Sequence, residues 1–343
     1  MEPATGVGLN RLSAEARGPD QSTRSVPGPQ PALRVGVVRN PRSHRNKGTE
    51  PEAFDIPNVL TTAPDTREEL AAALAGFAAQ GIDFLVIDGG DGTVRDVLSR
   101  GAPVFGEHWP KLIVLPKGKT NALAADLDLP ERWPLAEALK AAQQARAEIR
   151  RPLLLERPDR EGWEAMGFIL GGGVFNAAIE AGQVAHRFGA FQGFAVAVTA
   201  AFGIFQALFG FGKSPWRELV PMRLSTAPDR QEIPLSSHGE SGFRFACGIS
   251  TLDKFPLGMR PFAKTGKGIK YLVFDAPLRR AIALVPALLM GLDRPFLPKL
   301  GIHRGVTDEL GFQLGGKFIL DGEAFPAGDY RIRLGPELHF LVP

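Results

Sequence analysis

The sequence predicts a two-part chain, in which an N-terminal α/β domain with a parallel sheet precedes a β-rich sandwich domain. Residues 33–149 alternate short apolar runs with amphipathic runs, the pattern of strands joined by crossover helices. Residues 150–343 contain short apolar runs separated by Gly/Pro turns. With 343 residues, of which 44% are apolar, the chain is long enough for more than one core.

The first part contains four predicted strands, at 33–38, 59–62, 84–87 and 112–115. A helix is predicted after Thr66, because Thr66 and Glu69 form a capping box ahead of an apolar face. Further helices are predicted from Thr93, near Lys119 and over 134–149. Ligands of parallel sheets bind at the carboxyl ends of the strands, so we expect the functional site there.

The second part is predicted to be mainly strand, with apolar runs at 152–156, 166–170, 243–249, 269–274, 317–320 and 330–334. Residues 1–32 have a different composition, with five prolines and few large apolar side chains. We expect them to form a disordered tail. No apolar core follows their arginines, so a secretory signal is not predicted.

One uncharged stretch, 188–212, is long enough on paper to cross a bilayer. Its large apolar residues recur every three or four positions and form a helical stripe, whereas a spanning helix is usually apolar all round. Three interpretations stay open: packing inside the protein, contact with a membrane surface, and spanning. The stripe consists of Phe188, Phe191, Phe194, Val198, Phe202, Phe205 and Phe209.

The single cysteine and the charge give weaker constraints. Cys247 cannot form an intramolecular disulfide and fits a reducing compartment, and its apolar surroundings favour a core residue over a nucleophile. The histidines show no zinc-ligand spacing. A formal charge of +3 suits a phosphate-bearing ligand or an anionic membrane, but it selects neither.

The stretch VIDGGDGTVRDVL, residues 86–98, carries more glycine than a turn requires. Gly89, Gly90 and Gly92 place backbone N–H groups at a helix N-terminus with no Cβ in the way, which suits phosphate oxygens. Asp91 would repel phosphate unless a divalent cation lay between them, so it indicates a magnesium nucleotide. The alternative is an elaborate strand–helix turn that also includes Thr93.

Two further loops follow predicted strands at the same edge. Residues 116–124 contain Gly118, Lys119, Thr120 and Asn121, but a Walker A motif would need glycine where Ile113 stands. A second strand–glycine–helix junction remains. Residues 38–48 are rich in cations and form either a solvated basic loop or a phosphate contact; the cations are Arg39, Arg42, Arg45 and Lys47, with His44 as a fifth candidate.

Near the C-terminus, residues 318–325 contain Asp321, Gly322 and Glu323 between apolar runs. Asp-Gly in this setting is typical of a hairpin turn. Two carboxylates on a rigid turn could also accept a hydroxyl proton and orient the attacking oxygen. The residues alone leave both interpretations open.

These four stretches, in this order, resemble the diacylglycerol kinase catalytic-domain family of lipid kinases, from about residue 34 to the C-terminus. Gly89–Thr93 is the family's Gly-Gly-Asp-Gly-Thr signature without change, which NAD kinases and phosphofructokinases share. Asn40-Pro41 in the first-strand motif and the late 321–323 point to the lipid branch. Further matches to the family's motifs are Ser43, Thr61 with Thr62, and 121–124.

The resemblance implies a nucleotide-binding α/β domain over 33–149 and a sandwich over 150–343 that completes the active site and admits the lipid. It implies ATP and Mg²⁺ as cofactors, with Asp91 at the metal. Asp321 would be the general base toward a lipid hydroxyl, with Glu323 supporting it. The ATP site would comprise Asn40, Pro41, Ser43, Thr61, Gly89, Gly90, Asp91, Gly92, Thr93, Gly118, Lys119, Thr120 and Asn121.

The expected activity is therefore ATP-dependent phosphorylation of a lipid such as diacylglycerol or a long-chain base, in lipid metabolism. We expect a cytoplasmic protein with peripheral contact at the inner membrane and no nucleic-acid partner. His44–Lys47 replace the glycines that usually follow the first-strand motif, and Lys119-Thr120 alter the glycine loop. Two rivals remain: an NAD kinase, against which Ala122 after Asn121 counts, and a non-catalytic lipid- or nucleotide-binding protein.

Overall fold

A computed structural model describes residues 33–49, 58–144, 146–160, 162–174, 217–263 and 266–343. The predicted tail over 1–32 and the phenylalanine stripe of 188–212 lie outside these residues. Within them, no helix has the length and apolarity that crossing a membrane requires. The two-part fold class is confirmed: a mixed, largely parallel sheet with helices is followed by antiparallel sheets.

The first sheet has six strands in the order β2-β1-β3-β4-β19-β5. They are β1 (Val35–Arg39), β2 (Val59–Thr62), β3 (Phe84–Gly89), β4 (Lys111–Pro116), β5 (Ala147–Arg150) and β19 (Leu338–Leu341). The first four strands and β19 run parallel, and β5 pairs antiparallel with β19. The C-terminal strand thus returns to the N-terminal sheet, which the sequence analysis did not foresee.

Four helices accompany this sheet: α1 (Arg67–Ala79), α2 (Asp91–Phe105), α3 (Ala122–Asp126) and α4 (Leu135–Gln144). The predicted cap of α1 is confirmed, since the Thr66 side chain accepts a hydrogen bond from the Glu69 amide at 3.1 Å. The predicted helix over 134–149 was wrong at its end. Residues 147–150 form strand β5 instead, because their backbone pairs with β19.

The second part contains two antiparallel sheets. One has the order β10-β9-β15-β18-β6-β7, with β11 beside β9, and the other has the order β14-β13-β12-β8-β16-β17. Their strands are β6 (Leu153–Glu156), β7 (Trp163–Gly167), β8 (Ile169–Gly173), β9 (Val220–Thr226), β10 (Gln231–Glu232), β11 (Phe243–Arg244), β12 (Ala246–Ser250), β13 (Ile269–Phe274), β14 (Ile302–Thr307), β15 (Glu309–Leu314), β16 (Phe318–Leu320), β17 (Glu323–Phe325) and β18 (Gly328–Leu334). Two short helices, Arg279–Ala283 and Val285–Leu289, follow β13.

Apolar side chains from both antiparallel sheets form the sandwich core, which includes Phe312, Phe318 and Ile332. Cys247 belongs to this core and is fully buried, and burial raises the pKa of its thiol to about 12. This agrees with the predicted core role, because a thiol with so high a pKa is a poor nucleophile. The predicted division at residue 149/150 stays a prediction.

The two parts also share a core. Met166, Phe168 and Leu252 of the second part pack in the same cluster as the helices and strands of the first sheet. Ser99 on α2 strengthens this contact, since its hydroxyl accepts a hydrogen bond from the Met166 amide at 2.9 Å. Helix α2 is therefore fixed against the sandwich along its buried face.

Asp126, at the end of α3, forms a second set of contacts between the two parts. Its fully buried carboxylate accepts hydrogen bonds from the Arg150 guanidinium at 2.5 Å and from the amides of Asp253 and Lys254 at 2.7 Å each. Asp126→Ala leaves these donors without an acceptor, so we expect a loss of about 3 kcal/mol in the free energy of unfolding, measured by chemical denaturation.

The matched control is Asp128→Asn, two residues further on. Asp128 is exposed and pairs at the surface with Lys254, and asparagine tolerates its positive φ of 54°, so the loss of its charge should cost less than about 1 kcal/mol. Equal destabilisation by the two variants would contradict the role assigned to Asp126.

Candidate active site

The two glycine-rich junctions lie side by side and touch through their backbones. Strands β3 and β4 are neighbours, so both junctions leave the sheet at the same edge. A Cβ added to Gly90 would lie 2.8 Å from the Cα of Gly118, and one added to Gly89 would lie 2.4 Å from the Thr93 hydroxyl. Gly89, Gly90 and Gly118 do not adopt positive φ. Close approach therefore explains the surplus of glycine.

Asp91, the first residue of α2, joins the two junctions. Its carboxylate accepts hydrogen bonds from the amides of Ala122 at 3.0 Å and Leu123 at 3.3 Å, at the start of α3. Burial raises the pKa of Asp91, and the two amides act in the opposite direction. The residue predicted as a metal ligand thus also fixes the geometry of the loops.

Asn121 shapes the second loop from within. It has a left-handed backbone, with φ 50° and ψ 52°. Its side chain accepts a hydrogen bond from the Gly118 amide at 2.8 Å and donates one to the Gly118 carbonyl at 3.0 Å. Lys119 and Thr120 lie exposed at the tip of this closed loop.

The loop after β1 lies against both junctions. The Asn40 side chain donates to the Thr93 hydroxyl at 2.9 Å and accepts from the Arg42 amide at 3.0 Å. The Arg45 amide donates to the Lys117 carbonyl at 3.0 Å. Three of the predicted stretches therefore form one hydrogen-bonded edge.

The other two residues predicted from this loop differ in exposure, since Ser43 is buried and Pro41 is exposed. Thr61 is exposed on the edge strand β2, opposite Val37 of β1. Thr61 thus lies at the same edge of the sheet as the three stretches.

Three of the cations in the basic loop pair with acidic side chains. Arg39 is buried and binds Asp88 at 3.0 Å, while Arg42 binds Asp65 at 2.7 Å and Arg45 binds Glu131 at 3.2 Å. Burial raises the pKa of Asp88, and the hydrogen bond from Asn46 and the charge of Arg39 act against this. The Arg39–Asp88 pair therefore lies beneath the loop, at the ends of β1 and β3, and stabilises it there.

Asn46 was missed by the sequence analysis, although it is 2% exposed. Its amide group donates to the carbonyls of Asn40 at 3.0 Å and Asp88 at 3.1 Å. An asparagine in a polar loop gives no local signal of burial, so only the folded contacts identify it.

The acidic turn forms the predicted hairpin between β16 and β17. Asp321 and Gly322 have positive φ, 43° and 82°. The Asp321 carboxylate accepts hydrogen bonds from the amides of Phe168 at 2.8 Å and Ile169 at 2.9 Å. Its backbone oxygen would lie 3.8 Å from a Cβ added to Gly92. The late turn and the early glycine-rich stretch therefore meet.

The protonation of Asp321 reflects this setting. Burial raises the pKa of Asp321 to about 7, the negative charge of Asp91 adds to the shift, and the two backbone amides and Arg95 act against it. A carboxyl group with this pKa exchanges its proton near neutral pH, as a general acid or base must.

Two arginines that the sequence analysis missed hold the turn in place. Arg95 on α2 is buried, binds Glu323 at 2.7 Å and donates to the carbonyls of Leu320 at 3.3 Å and Asp321 at 3.1 Å. Arg67 on α1 binds Glu323 at 2.5 Å. Arg95 stands between Val94 and Asp96 in α2, so its neighbours in the sequence give no signal that its guanidinium is buried.

Metal binding by a protein-only cluster is not supported. Among the described residues, no three His, Cys, Asp or Glu side chains are grouped so that they could hold an ion. Asp91 and Asp321 are two carboxylates beside the glycine-rich stretch. Mg²⁺ is commonly bound by one or two carboxylates together with substrate phosphates, and this oxygen donor set fits that pattern.

Comparisons with known proteins agree with the fold. Residues 34–154 match the family model of the diacylglycerol kinase catalytic domain. A solved structure of a candidate diacylglycerol kinase from Bacillus anthracis str. Sterne is 15% identical, with a TM-score of 0.62 over 90% of this chain and 97% of that one. A structure described as a diacylglycerol kinase from the same organism is 14% identical, with a TM-score of 0.55 over the same shares.

A search of curated proteins finds no significant match. The solved structures, at this level of identity, establish the fold alone. Residues 34–154, less than half of the chain, are thus similar to the diacylglycerol kinase catalytic domain.

Proposed function

We propose that this protein transfers the γ-phosphate of ATP to the hydroxyl group of a lipid. The observation that carries the proposal is the meeting of Asp321 with the glycine-rich stretch at Asp91, across more than two hundred residues of chain. This meeting provides a proton acceptor beside a helix N-terminus. Phosphoryl transfer needs such positioning and charge neutralisation more than covalent chemistry.

The nucleotide phosphates would lie over Gly89–Thr93, where the start of α2 presents backbone N–H groups. Lys119, exposed at the tip of the second loop, would add a positive charge to them. The Asp91 carboxylate accepts amide hydrogen bonds from the start of α3. Asp91 would hold Mg²⁺ together with phosphate oxygens, and the ion would neutralise phosphate charge when bound.

In the reaction, the Asp321 carboxylate accepts the proton of the lipid hydroxyl. The hydroxyl oxygen then bonds to the γ-phosphorus as the bond to the β-phosphate oxygen breaks, and ADP leaves. Glu323 is a positioning residue in this proposal, because its carboxylate is paired with Arg67 and Arg95. The proton on Asp321 returns to solvent after release of the phosphorylated lipid.

An ATP-consumption assay across a panel of acceptors tests the proposal. The panel contains diacylglycerol, a long-chain base and a glycerophospholipid in mixed micelles, with NAD as the soluble alternative. We expect consumption with at least one lipid. Turnover with NAD alone would identify an NAD kinase, and ATP binding without turnover would identify a non-catalytic protein; either outcome contradicts the proposal.

Asp321→Asn removes the proton acceptor and retains the size of the side chain. We expect lipid-dependent turnover to fall by about 10²–10⁴-fold, with ATP affinity little changed, as measured by initial rates and calorimetry. Asp329→Asn, an exposed carboxylate on β18, is the control and should retain full activity. Near-normal turnover in Asp321→Asn would refute its assignment as base.

The pH profile provides a separate prediction. The base is active only when deprotonated, so kcat/KM should rise with pH, with unit slope, up to the pKa of Asp321 near 7, and then level off. Asp321 is charged above this pH, so the activity is lost as the pH falls through it. A profile that is flat through neutral pH would show that Asp321 does not control the step.

A substitution at Gly92 should change ATP binding without changing the stability of the fold. Among the described residues outside its own helix turn, the atom nearest to a Cβ at Gly92 would be the Asp321 carbonyl oxygen, at 3.8 Å. Alanine favours a helix by about 1 kcal/mol, so Gly92→Ala should fold at least as stably as the wild type. ATP affinity should fall about tenfold or more, because the Cβ would occupy the space for phosphate.

Gly90→Ala is the comparison, because its Cβ would lie 2.8 Å from the Gly118 backbone. This variant should lose thermal stability without any ligand. If Gly92→Ala bound ATP as tightly as the wild type in calorimetry, the assignment of the phosphates to this stretch would be wrong.

A further inference from the structure

Three large apolar side chains are exposed on the outer side of the sheet that contains β13 and β14. Leu257 is 91% exposed, Met290 is 65% exposed and Phe296 is 44% exposed. We call these three residues the apolar rim. They lie on the segments that cover β13 and β14. These strands are at one edge of the sheet, and the hairpin that carries Asp321 is at the other edge.

The backbone that carries the rim is well fixed. The Arg260 amide, three residues after Leu257, donates to the Leu289 carbonyl at 2.7 Å, next to Met290. Arg304 on β14 donates to the Leu288 carbonyl at 2.9 Å. Phe296 directly precedes Leu297, which is buried in the same apolar cluster as Leu288 and Phe262. The rim residues therefore project from a packed layer.

Leu257 also has an unfavourable backbone conformation, with φ 63° and ψ 20°. The left-handed region costs a non-glycine residue roughly 1–2 kcal/mol, and strain of this kind is concentrated at functional sites. Pro256 and Gly258 flank it, so the turn presents the leucine at its tip. Neither burial nor hydrogen bonding within the described residues explains a leucine in this position.

The surroundings of the rim are positively charged. Exposed cations on the same segments are Arg260, Arg279, Arg280, Arg294 and Lys299. Between residues 276 and 300, all of which the structure describes, Asp293 is the one acidic side chain. Apolar tips set among cations complement an anionic lipid surface, in which the tips enter the interface and the cations meet headgroups.

We propose that the apolar rim and its cations dock this protein on an anionic membrane surface. This deepens the proposed function, on which it rests, by naming where the enzyme meets the lipid aggregate that holds its substrate. Docking is measured without turnover, so its failure and the failure of the kinase proposal are distinguishable.

The test is flotation of the full chain with phosphatidylglycerol vesicles and with neutral phosphatidylcholine vesicles. The wild type should bind the anionic vesicles more strongly, and added salt should weaken the binding. The triple variant Leu257→Ser, Met290→Ser and Phe296→Ser should lose about tenfold or more of its partitioning, because these side chains no longer enter the interface. Arg279→Glu with Arg280→Glu should reduce the preference for anionic vesicles.

A matched triple variant carries serine at Leu33, Leu60 and Ile149, which are 37%, 38% and 47% exposed on the first part of the chain. It should float like the wild type, and thermal unfolding checks that both triple variants are folded. Equal flotation of the rim variant and the wild type would overturn the proposal. So would equal loss in the matched variant, or a wild type that binds no vesicles, the result expected if the rim binds a protein.

Kinase assays with lipid in detergent micelles, where no bilayer is needed, complete the comparison. The rim variant should retain its micellar turnover while losing activity on vesicles. Loss of activity in both systems, with flotation unchanged, would show that these residues act in the chemistry and not in docking.

Discussion

Arg95 donates hydrogen bonds from helix α2 to the carbonyls of Leu320 and Asp321 and binds the carboxylate of Glu323. A buried guanidinium is costly unless its charge is paired and its donors are satisfied, and this one is satisfied by the acidic hairpin together with Asp96 of its own helix. The hairpin is therefore held where the glycine-rich stretch begins α2. The position of the proposed base follows from this contact, which also makes two remote parts of the chain one site.

The glycines of the glycine-rich edge divide between close packing and the proposed contact with phosphate. Gly89, Gly90 and Gly118 lack side chains because neighbouring atoms leave no space for a Cβ, whereas Gly92 has space beside Asp321. Asp91 ties the two loops through amides of α3 and raises the pKa of Asp321 through its charge. One carboxylate thereby links loop structure to the acid–base property of the site.

The sequence predicted correctly those structural features that depend on residues close together in the chain. The cap at Thr66, the strand–glycine–helix junctions and the Asp-Gly hairpin depend on neighbouring residues, and the structure contains each of them. Long-range partners could not be predicted in the same way. Residues 147–150 have a helical pattern but pair with β19, almost two hundred residues later. The burial of Asn46 and the pairing of Arg95 with Glu323 likewise exist only in the folded chain.

The proposed reaction requires Asp91 and Asp321 to lie close enough for their charges to interact. A carbon-13 NMR titration of the Asp321 carboxyl group, in the wild type and in Asp91→Asn, measures this interaction. We expect a pKa near 7 in the wild type and a lower value in the variant, because a neighbouring negative charge has been removed. An ordinary aspartate pKa in the wild type, or a value unchanged by Asp91→Asn, would contradict it.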